Sequence, residues 1–100
     1  MRIYISGAIT KEKGFYRKFL NAENDLKRKG HDVINPARIG KVLPKKMDYE
    51  EYMTIDFVLL DMCDAICMLQ GWENSDGAKR EFEHAKANEK KIFYQRSAKC

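Results

Sequence analysis

The sequence predicts a three-layer α/β fold, with a parallel sheet of four to five strands and helices on both faces. Strand-like and helix-like segments alternate along the whole chain, and such alternation is typical of parallel sheets joined by right-handed crossovers. Glycine or proline stands at several of the segment ends, as at Gly7, Gly30 and Pro36. These observations favour a flavodoxin or Rossmann-like arrangement. At 100 residues, the chain is expected to form a single domain over 1–100.

The elements follow from apolar periodicity and from residues that begin or end helices and strands. Strands are predicted at 1–6, 31–35, 65–69 and 92–94. Amphipathic helices are predicted at 15–29, about 48–62 and about 76–88. Asp48 and Glu51 form a capping-box pattern at the start of the second helix. The segment 37–47 is predicted to be irregular, and 95–100 to be a short polar tail.

Composition and charge exclude several classes of protein to which the chain could belong. The hydrophobic fraction of 44% is sufficient for a small core, which oligomerisation would support. The net charge of +4 comes from dispersed basic residues without interleaved aromatics, so we expect no polymeric nucleic acid partner. The apolar runs are interrupted by Asp56, Asp61 and Asp64, so no membrane segment is predicted. The chain opens directly on a strand, and no secretion signal is expected.

The three cysteines are Cys63, Cys67 and Cys100. Their odd count, and the position of two of them in or beside an apolar strand, predict reduced thiols in a cytoplasmic protein. Neither histidine nor a second cysteine pair occurs at zinc-binding spacing, so no metal site is predicted.

The last predicted helix carries a glutamate on its apolar side. One face of this helix contains Ala78, Phe82 and Ala85. At ~100° per residue, Glu81 falls within ~60° of the centre of that face, whereas Glu83 points away. Packing alone rarely leaves a carboxylate in such a position. Because ligands of parallel α/β sheets bind beyond the carboxyl ends of the strands, Glu81 is a candidate site residue.

Two interpretations of Glu81 stay open on the residues alone. As a nucleophile, its carboxylate could attack a sugar anomeric carbon and form a covalent glycosyl intermediate. As a structural residue, it could pair with Arg2, His84 or a backbone group. Asp56 has a better case than Asp61 for a place beside it, because the two aspartates cannot face the same way on one helix.

Three loops are expected to meet at the carboxyl edge of the sheet. They are 6–14, 35–47 and 70–77. Ser75 and Gly77 begin the last helix, where backbone N–H groups and the helix dipole favour an anion, although Ser75 could act only as a cap. Trp72 could stack on a base or cover the core.

Four motifs together point to a known family. They are Ile3-Tyr4-Ile5-Ser6-Gly7-Ala8-Ile9, Val33-Ile34-Asn35-Pro36, Asp56 with Cys63-Asp64-Ala65, and Ser75-Asp76-Gly77-Ala78-Lys79-Arg80-Glu81 with Ala85. The chain resembles nucleoside 2-deoxyribosyltransferases and deoxynucleotide N-glycosidases, including short phage and bacterial deoxyribosyltransferase-like proteins. The resemblance covers nearly the whole chain.

The resemblance implies a role for each matched residue. Glu81 matches the nucleophile, Tyr4 the tyrosine that orients it, and Asp56 the carboxylate that holds the deoxyribose hydroxyls. Asp64 is a weaker candidate for a second carboxyl role. The remaining expected substrate-binding residues are Ser6, Gly7 and Ala8 of the first loop, and Trp72, Ser75 and Gly77 of the third. Ala8 and Thr10 stand where nucleotide-directed members tend to have serine and arginine.

The expected function is therefore cleavage or transfer at the N-glycosidic bond of a 2′-deoxynucleoside or its 5′-monophosphate. No metal or organic cofactor is implied. A homodimer or larger assembly is expected, because the chain is shorter than the transferases and its base pocket looks incomplete. The alternatives are a non-catalytic nucleotide-binding module of the same fold and a structural accessory protein.

Overall fold

A computed structural model of the chain describes residues 1–10 and 12–96. Within them the strands are β1 (Arg2–Ser6), β2 (Asp32–Ile34), β3 (Ala65–Met68) and β4 (Lys91–Tyr94). The helices are α1 (Phe15–Arg28), α2 (Pro36–Gly40), α3 (Tyr49–Asp61) and α4 (Asp76–Ala87), and a short 3-10 turn covers Trp72–Asn74. All strands pair in parallel in the order β2-β1-β3-β4. The predicted three-layer α/β, flavodoxin or Rossmann-like fold is confirmed.

The segment predicted to be irregular contains α2, a short helix that the sequence reading missed. The side chain of Asn35 accepts a hydrogen bond from the backbone N–H of Ala37 at 3.0 Å and so caps the helix. Pro36 stands at the first helical position, where its fixed φ favours a helix and its missing N–H costs nothing. The asparagine-proline pair therefore ends β2 and also begins α2.

The strand order places a topological switch at β1 and β3. The connection from β1 to β2 runs over one face of the sheet, and the connections from β2 to β3 and from β3 to β4 run over the other. A crevice forms at such a point beyond the carboxyl ends of the strands. The loops that follow β1, β2 and β3 reach this edge.

The two core clusters follow from the alternation of side chains along the strands. Ile3 and Ile5 face α1 and pack with Phe19, Ala22 and Leu26. On the other face, Tyr4 and the neighbouring strand residues pack against α3 and α4. Residues of β1 two apart therefore share a face, and this alternation directs Tyr4 and Ser6 toward α4.

The cysteines differ from expectation at one position. Cys63 is a free, buried thiol, as predicted. Cys67 is disulfide-bonded, which corrects the expectation of reduced thiols throughout. A disulfide depends on which Cβ atoms the fold brings within bonding distance, and a cysteine count does not contain that information. Cys100, with the rest of 97–100, lies outside the described residues. None of the described helices is long and apolar enough to cross a bilayer.

Candidate active site

Helix α4 begins with a side-chain cap. The Ser75 hydroxyl accepts a hydrogen bond from the backbone N–H of Ala78 at 3.1 Å. The cap fixes the first turn, so that Glu81 emerges one turn later on the buried side of the helix. The capping role of Ser75 is thus present, and its contact with an anion stays a prediction.

Glu81 is a buried carboxyl with two hydroxyl donors. Only 5% of the surface of Glu81 is exposed. Tyr4 donates a hydrogen bond to Oε2 at 2.6 Å, and Ser6 donates one to Oε1 at 2.7 Å. Both donors come from the same face of β1 and are fully buried. The predicted contact between Tyr4 and Glu81 is therefore present, and Ser6 adds a second donor on the other carboxyl oxygen.

Asp56, on α3, is partly buried next to Glu81 and Tyr4. Burial raises the pKa of Asp56 to about 6, while the interactions with Glu81 and Tyr4 oppose that shift. Asp61 points elsewhere and contacts His84, as expected from helical geometry.

The surroundings favour a proton on the carboxyl pair. The pKa of Glu81 is raised to about 8, first by burial and then by the charge of Asp56, while hydrogen bonds from Tyr4 and Ser6 act in the opposite direction. Burial also raises the pKa of Tyr4 well above its ordinary value, so its hydroxyl remains a donor. Two carboxyls this close share a proton more readily than they carry two negative charges.

A cleft of about 810 Å³ opens in front of Glu81 and Asp56. Gly7 of the first loop, Leu43 of the second, and Ser75 and Gly77 of the third line it together with Asp56 and Glu81, so the three loops do meet as predicted. The rest of the wall is largely apolar and aromatic; it includes Ile9, Phe15, Phe19, Ile39, Leu43, Tyr49 and Tyr52. A cleft of this size and lining is typical of a small-molecule site.

Gly7 lies at the base of this cleft, where the chain leaves β1. A Cβ at this position would stand 3.0 Å from the Cβ of Leu69, which is itself buried. The close approach of the two loops therefore favours glycine, because a Cβ would fit only if the Leu69 side chain shifted by a few tenths of an ångström. Tyr4 and Ser6 lie behind Glu81 rather than among the lining residues.

Three further predicted site residues do not line the cleft. Asp64 lies at the amino end of β3, where its carboxylate accepts a hydrogen bond from the Arg2 backbone N–H at 2.9 Å. It belongs to the opposite edge of the sheet from Glu81, and its position just before a parallel strand was a sequence signal for that edge. Trp72 stacks on Phe82 with ring centroids 4.7 Å apart and borders a separate cavity of about 390 Å³. Ala8 is not among the residues that line the cleft.

The structural partners considered for Glu81 have other contacts. The Arg2 guanidinium donates to the Met62 carbonyl at 3.2 Å, and His84 Nε2 lies 2.6 Å from Asp61. Glu83 is exposed, as its helical position predicts. Glu81 thus interacts with β1 and α3 rather than with either basic residue.

Two cationic side chains at the cleft were not predicted. Arg80 donates two hydrogen bonds to Glu50, at 2.9 and 3.1 Å. The Lys41 ammonium lies 3.7 Å from the centroid of the Tyr16 ring. Both line the cleft. The helical spacing of Arg80 indicated only a solvated side chain, since its partner comes from α3.

A second buried glutamate, Glu23, was also missed. It is 3% exposed and lies on α1. It accepts hydrogen bonds from the side chains of Lys27, Asn35 and Arg38. The helical spacing of α1 could have found it, because Glu23 adjoins Ala22 and Leu26 on the buried side.

Among residues 1–10 and 12–96, no three His, Cys, Asp or Glu side chains are grouped to hold a metal ion.

Comparison with known proteins identifies the family of the chain. A comparison with curated proteins finds no match to the chain. The model of the family described as Domain of unknown function (DUF4406) matches residues 1–94, and the chain belongs to that family.

Proposed function

We propose that the protein cleaves or transfers the N-glycosidic bond of a 2′-deoxynucleoside or its 5′-monophosphate, with Glu81 as the nucleophile. The observation that carries the proposal is a buried carboxyl, held on both oxygens by Tyr4 and Ser6, at the wall of a small-molecule cleft. Nothing in packing requires a carboxyl there, burying one costs free energy that hydrogen bonds must offset, and such groups in a cleft are typical of functional sites. The likeness of the motifs to deoxyribosyltransferases supports the same reaction.

The carboxyl pair supplies the two roles that glycosidic cleavage needs. Glu81 must be ionised to attack, and the leaving base needs a proton. The pKa of Glu81 is about 8 and that of Asp56 about 6, so the shared proton rests on Glu81 and must move to Asp56 before attack. The hydrogen bonds that Tyr4 and Ser6 donate favour the carboxylate that this transfer leaves on Glu81. With the proton on Asp56, the pair is a nucleophile beside an acid.

The proposed reaction then has two steps. A Glu81 oxygen forms a bond to C1′ as the bond from C1′ to the base nitrogen breaks, and the base nitrogen takes the electron pair and the proton from Asp56. In the second step, water or a second base attacks C1′, loses a proton to Asp56 and releases the Glu81 carboxylate. No cofactor enters either step.

The rest of the cleft supports a nucleoside or nucleotide as the ligand. Aromatic side chains such as Phe15 and Tyr52 provide faces on which a planar base can pack. The turn from Ser75 to Gly77 directs the N-terminus of a 12-residue helix at the same cleft. Such an N-terminus favours a 5′-hydroxyl oxygen or a phosphate.

A non-catalytic nucleotide-binding module is the second candidate, and one observation favours it. Burial and the charge of Asp56 raise the pKa of Glu81 to about 8, and a protonated Glu81 binds a sugar hydroxyl without attacking C1′. Only an assay of turnover separates the two functions.

The experiment is a panel of the four common 2′-deoxynucleosides and their 5′-monophosphates. Each is incubated with the protein, with and without a free acceptor base, and released base is measured by chromatography. Base release that requires Glu81 and not the outward-facing Glu83 supports the enzyme. Saturable binding by calorimetry without base release over hours supports the module, and neither result on any compound would refute both.

We also propose that the protein is cytoplasmic and forms a homodimer or larger assembly. Val58 on α3 and Met62, the residue that caps its C-terminus, lie one turn apart and are 56% and 51% exposed. Apolar side chains of that size, on a chain with a small core, are better buried against a second copy. Light scattering that gives a monomer mass at micromolar concentration would contradict this proposal.

A further inference from the structure

Glu23 is the buried centre of a polar network that has no part in the proposed reaction. Its Oε1 accepts hydrogen bonds from Asn35 Nδ2 at 2.9 Å and from Arg38 Nε at 2.7 Å. Its Oε2 accepts one from Lys27 Nζ at 2.7 Å. Asn35 and Arg38 belong to the cap and the body of α2, whereas Lys27 belongs to α1 itself. One carboxylate therefore connects the two helices.

The connection bears on the cleft because α2 forms one of its walls. Pro36, Ala37, Ile39 and Gly40 of α2, and Lys41 directly after it, all line the cleft. A five-residue helix has too few internal hydrogen bonds to be stable by itself. Its position must come from contacts with other elements, and Glu23 holds it at both its cap and its middle.

The charge of Glu23 is suited to this task. Burial alone would raise the pKa of Glu23, but the hydrogen bonds from Lys27, Asn35 and Arg38 outweigh burial and lower the pKa to about 2. The carboxylate is thus ionised at any ordinary pH, and hydrogen bonds to an ionised acceptor are the stronger kind.

We propose that Glu23 is a positioning residue that ties α2 to α1 and so fixes the α2 wall of the ligand cleft. It acts through Asn35 and Arg38, and it does not line the cleft itself. Its expected effect is on ligand affinity and not on the chemistry of Glu81. The part of this inference that concerns the ligand rests on the proposed function, and the part that concerns α2 does not.

The chain offers a closely matched pair of variants. Arg38 and Lys27 each place one cation on the Glu23 carboxylate, and their side chains are similarly exposed at 50% and 55%. Only Arg38 bridges to the other helix. Arg38→Ala should therefore loosen α2, while Lys27→Ala removes an equal charge without affecting it. Glu23→Ala is the stronger variant, and Glu23→Gln should retain part of the effect because its amide oxygen can still accept from Asn35 and Arg38.

The first measurement is amide hydrogen exchange of the protein without ligand. The amides of Arg38, Lys41 and Val42 donate to backbone carbonyls within or just before α2. Their exchange should quicken about tenfold in Arg38→Ala and in Glu23→Ala, the effect of losing one charge-assisted hydrogen bond. Exchange in β1 and α4 should stay the same, and Lys27→Ala should match the wild type throughout. Equal exchange in Arg38→Ala and Lys27→Ala would overturn the proposal, even where Glu23→Ala fails to fold.

The second measurement separates positioning from chemistry. With the panel compound that the wild type handles best, Arg38→Ala should raise KM about 5- to 20-fold, with kcat within about twofold and its pH profile unchanged. If the wild type only binds that compound, Kd takes the place of KM. A fall in kcat at constant KM, or faster α2 exchange at constant KM or Kd, would overturn the role in the cleft. If no panel compound binds or reacts, the proposed function and the cleft role both fail, and the exchange measurement alone decides whether Glu23 holds α2.

Discussion

The hydroxyl of Tyr4 donates a 2.6 Å hydrogen bond to Oε2 of Glu81, across 77 residues of sequence. Tyr4 is in the first strand and Glu81 in the last helix, so the bond connects the two ends of the fold inside the core. Its donor is fully buried and its acceptor is 5% exposed. The geometry holds Glu81 in one orientation at the cleft.

Removal of the Glu81 carboxylate should abolish base release. Glu81→Gln keeps the shape of the side chain and can still accept from a hydroxyl, but its amide cannot attack C1′. Turnover should fall by at least about 10³-fold, as expected when a covalent nucleophile is lost. The matched control is Glu83→Gln, which changes an exposed carboxylate two residues away. Turnover retained in Glu81→Gln and lost in Glu83→Gln would show that the nucleophile is wrongly assigned.

Loss of the Tyr4 hydroxyl should change the pH dependence of turnover. Tyr4→Phe removes a donor that favours the ionised form of Glu81, so the pKa of Glu81 rises further. The acid limb of the kcat profile should move to higher pH, with kcat at neutral pH reduced about 10- to 100-fold, in line with the loss of a hydrogen bond to a charged group. Ser6→Ala should move the limb in the same direction. An unshifted limb in both variants would mean that the hydroxyls do not control Glu81.

The pH dependence of stability should report on the same carboxyl pair. The pKa of Glu81 is raised from 4.5 to about 8, and that of Asp56 from 3.8 to about 6, so the folded state binds protons more tightly than the unfolded chain. The free energy of unfolding should therefore be greatest below about pH 4 as far as these groups contribute, and should fall as the pH rises toward 8. Glu81→Gln should flatten this fall, and Glu83→Gln should not. Urea unfolding of each protein at several pH values measures it, and parallel curves for wild type and Glu81→Gln would contradict the prediction.

Glu23 should make the free energy of unfolding depend on pH in the opposite direction. Its pKa is lowered from 4.5 to about 2, so its stabilising effect is present above about pH 4.5 and is lost as the pH falls toward 2. Glu23→Gln should weaken the loss of stability in acid, while Glu12→Gln, a change on an exposed ion pair, should leave it unchanged. The same urea series between pH 2 and 5 distinguishes the two variants.

The capping box of α3 should contribute to stability independently of the site. The Asp48 side chain accepts from the Glu51 backbone N–H at 2.8 Å, and the Glu51 side chain accepts from the Asp48 N–H at 2.9 Å. Asp48→Ala should cost about 1 kcal/mol, which lowers Tm by about 4–8 °C in a domain of this size. Asp76→Ala, at a side chain 95% exposed, is the control. Equal melting temperatures for the two variants would refute the prediction.

The two buried glutamates show why burial alone does not decide a protonation state. Glu23 is surrounded by an amide and two cations, and these favour its charge. Glu81 is surrounded by two hydroxyls and another carboxyl, and the carboxyl opposes its charge. Both lie on the inner face of a helix, and only their partners differ.

The sequence by itself determined the fold class, the strands and longer helices, the capping box at Asp48 and the inward orientation of Glu81. These features depend on periods of two or 3.6 residues and on caps within a few residues, so a short window of sequence contains them. The asparagine-proline pair at 35–36 is a local signal of the same kind, because it predicts the end of a strand and can also cap a helix, as it does for α2.

The tertiary structure alone decided which side chains meet. Ser6 became a donor to Glu81 because β1 lies in the middle of the sheet beneath α4, and Arg80 reached Glu50 because α3 and α4 pack side by side. Asp64 and Glu81 lie at opposite edges because parallel strands all run in one direction. The link from Glu23 to α2 has the same origin. Each contact joins segments far apart in sequence, and their distance is fixed by strand order and register, which no local pattern contains.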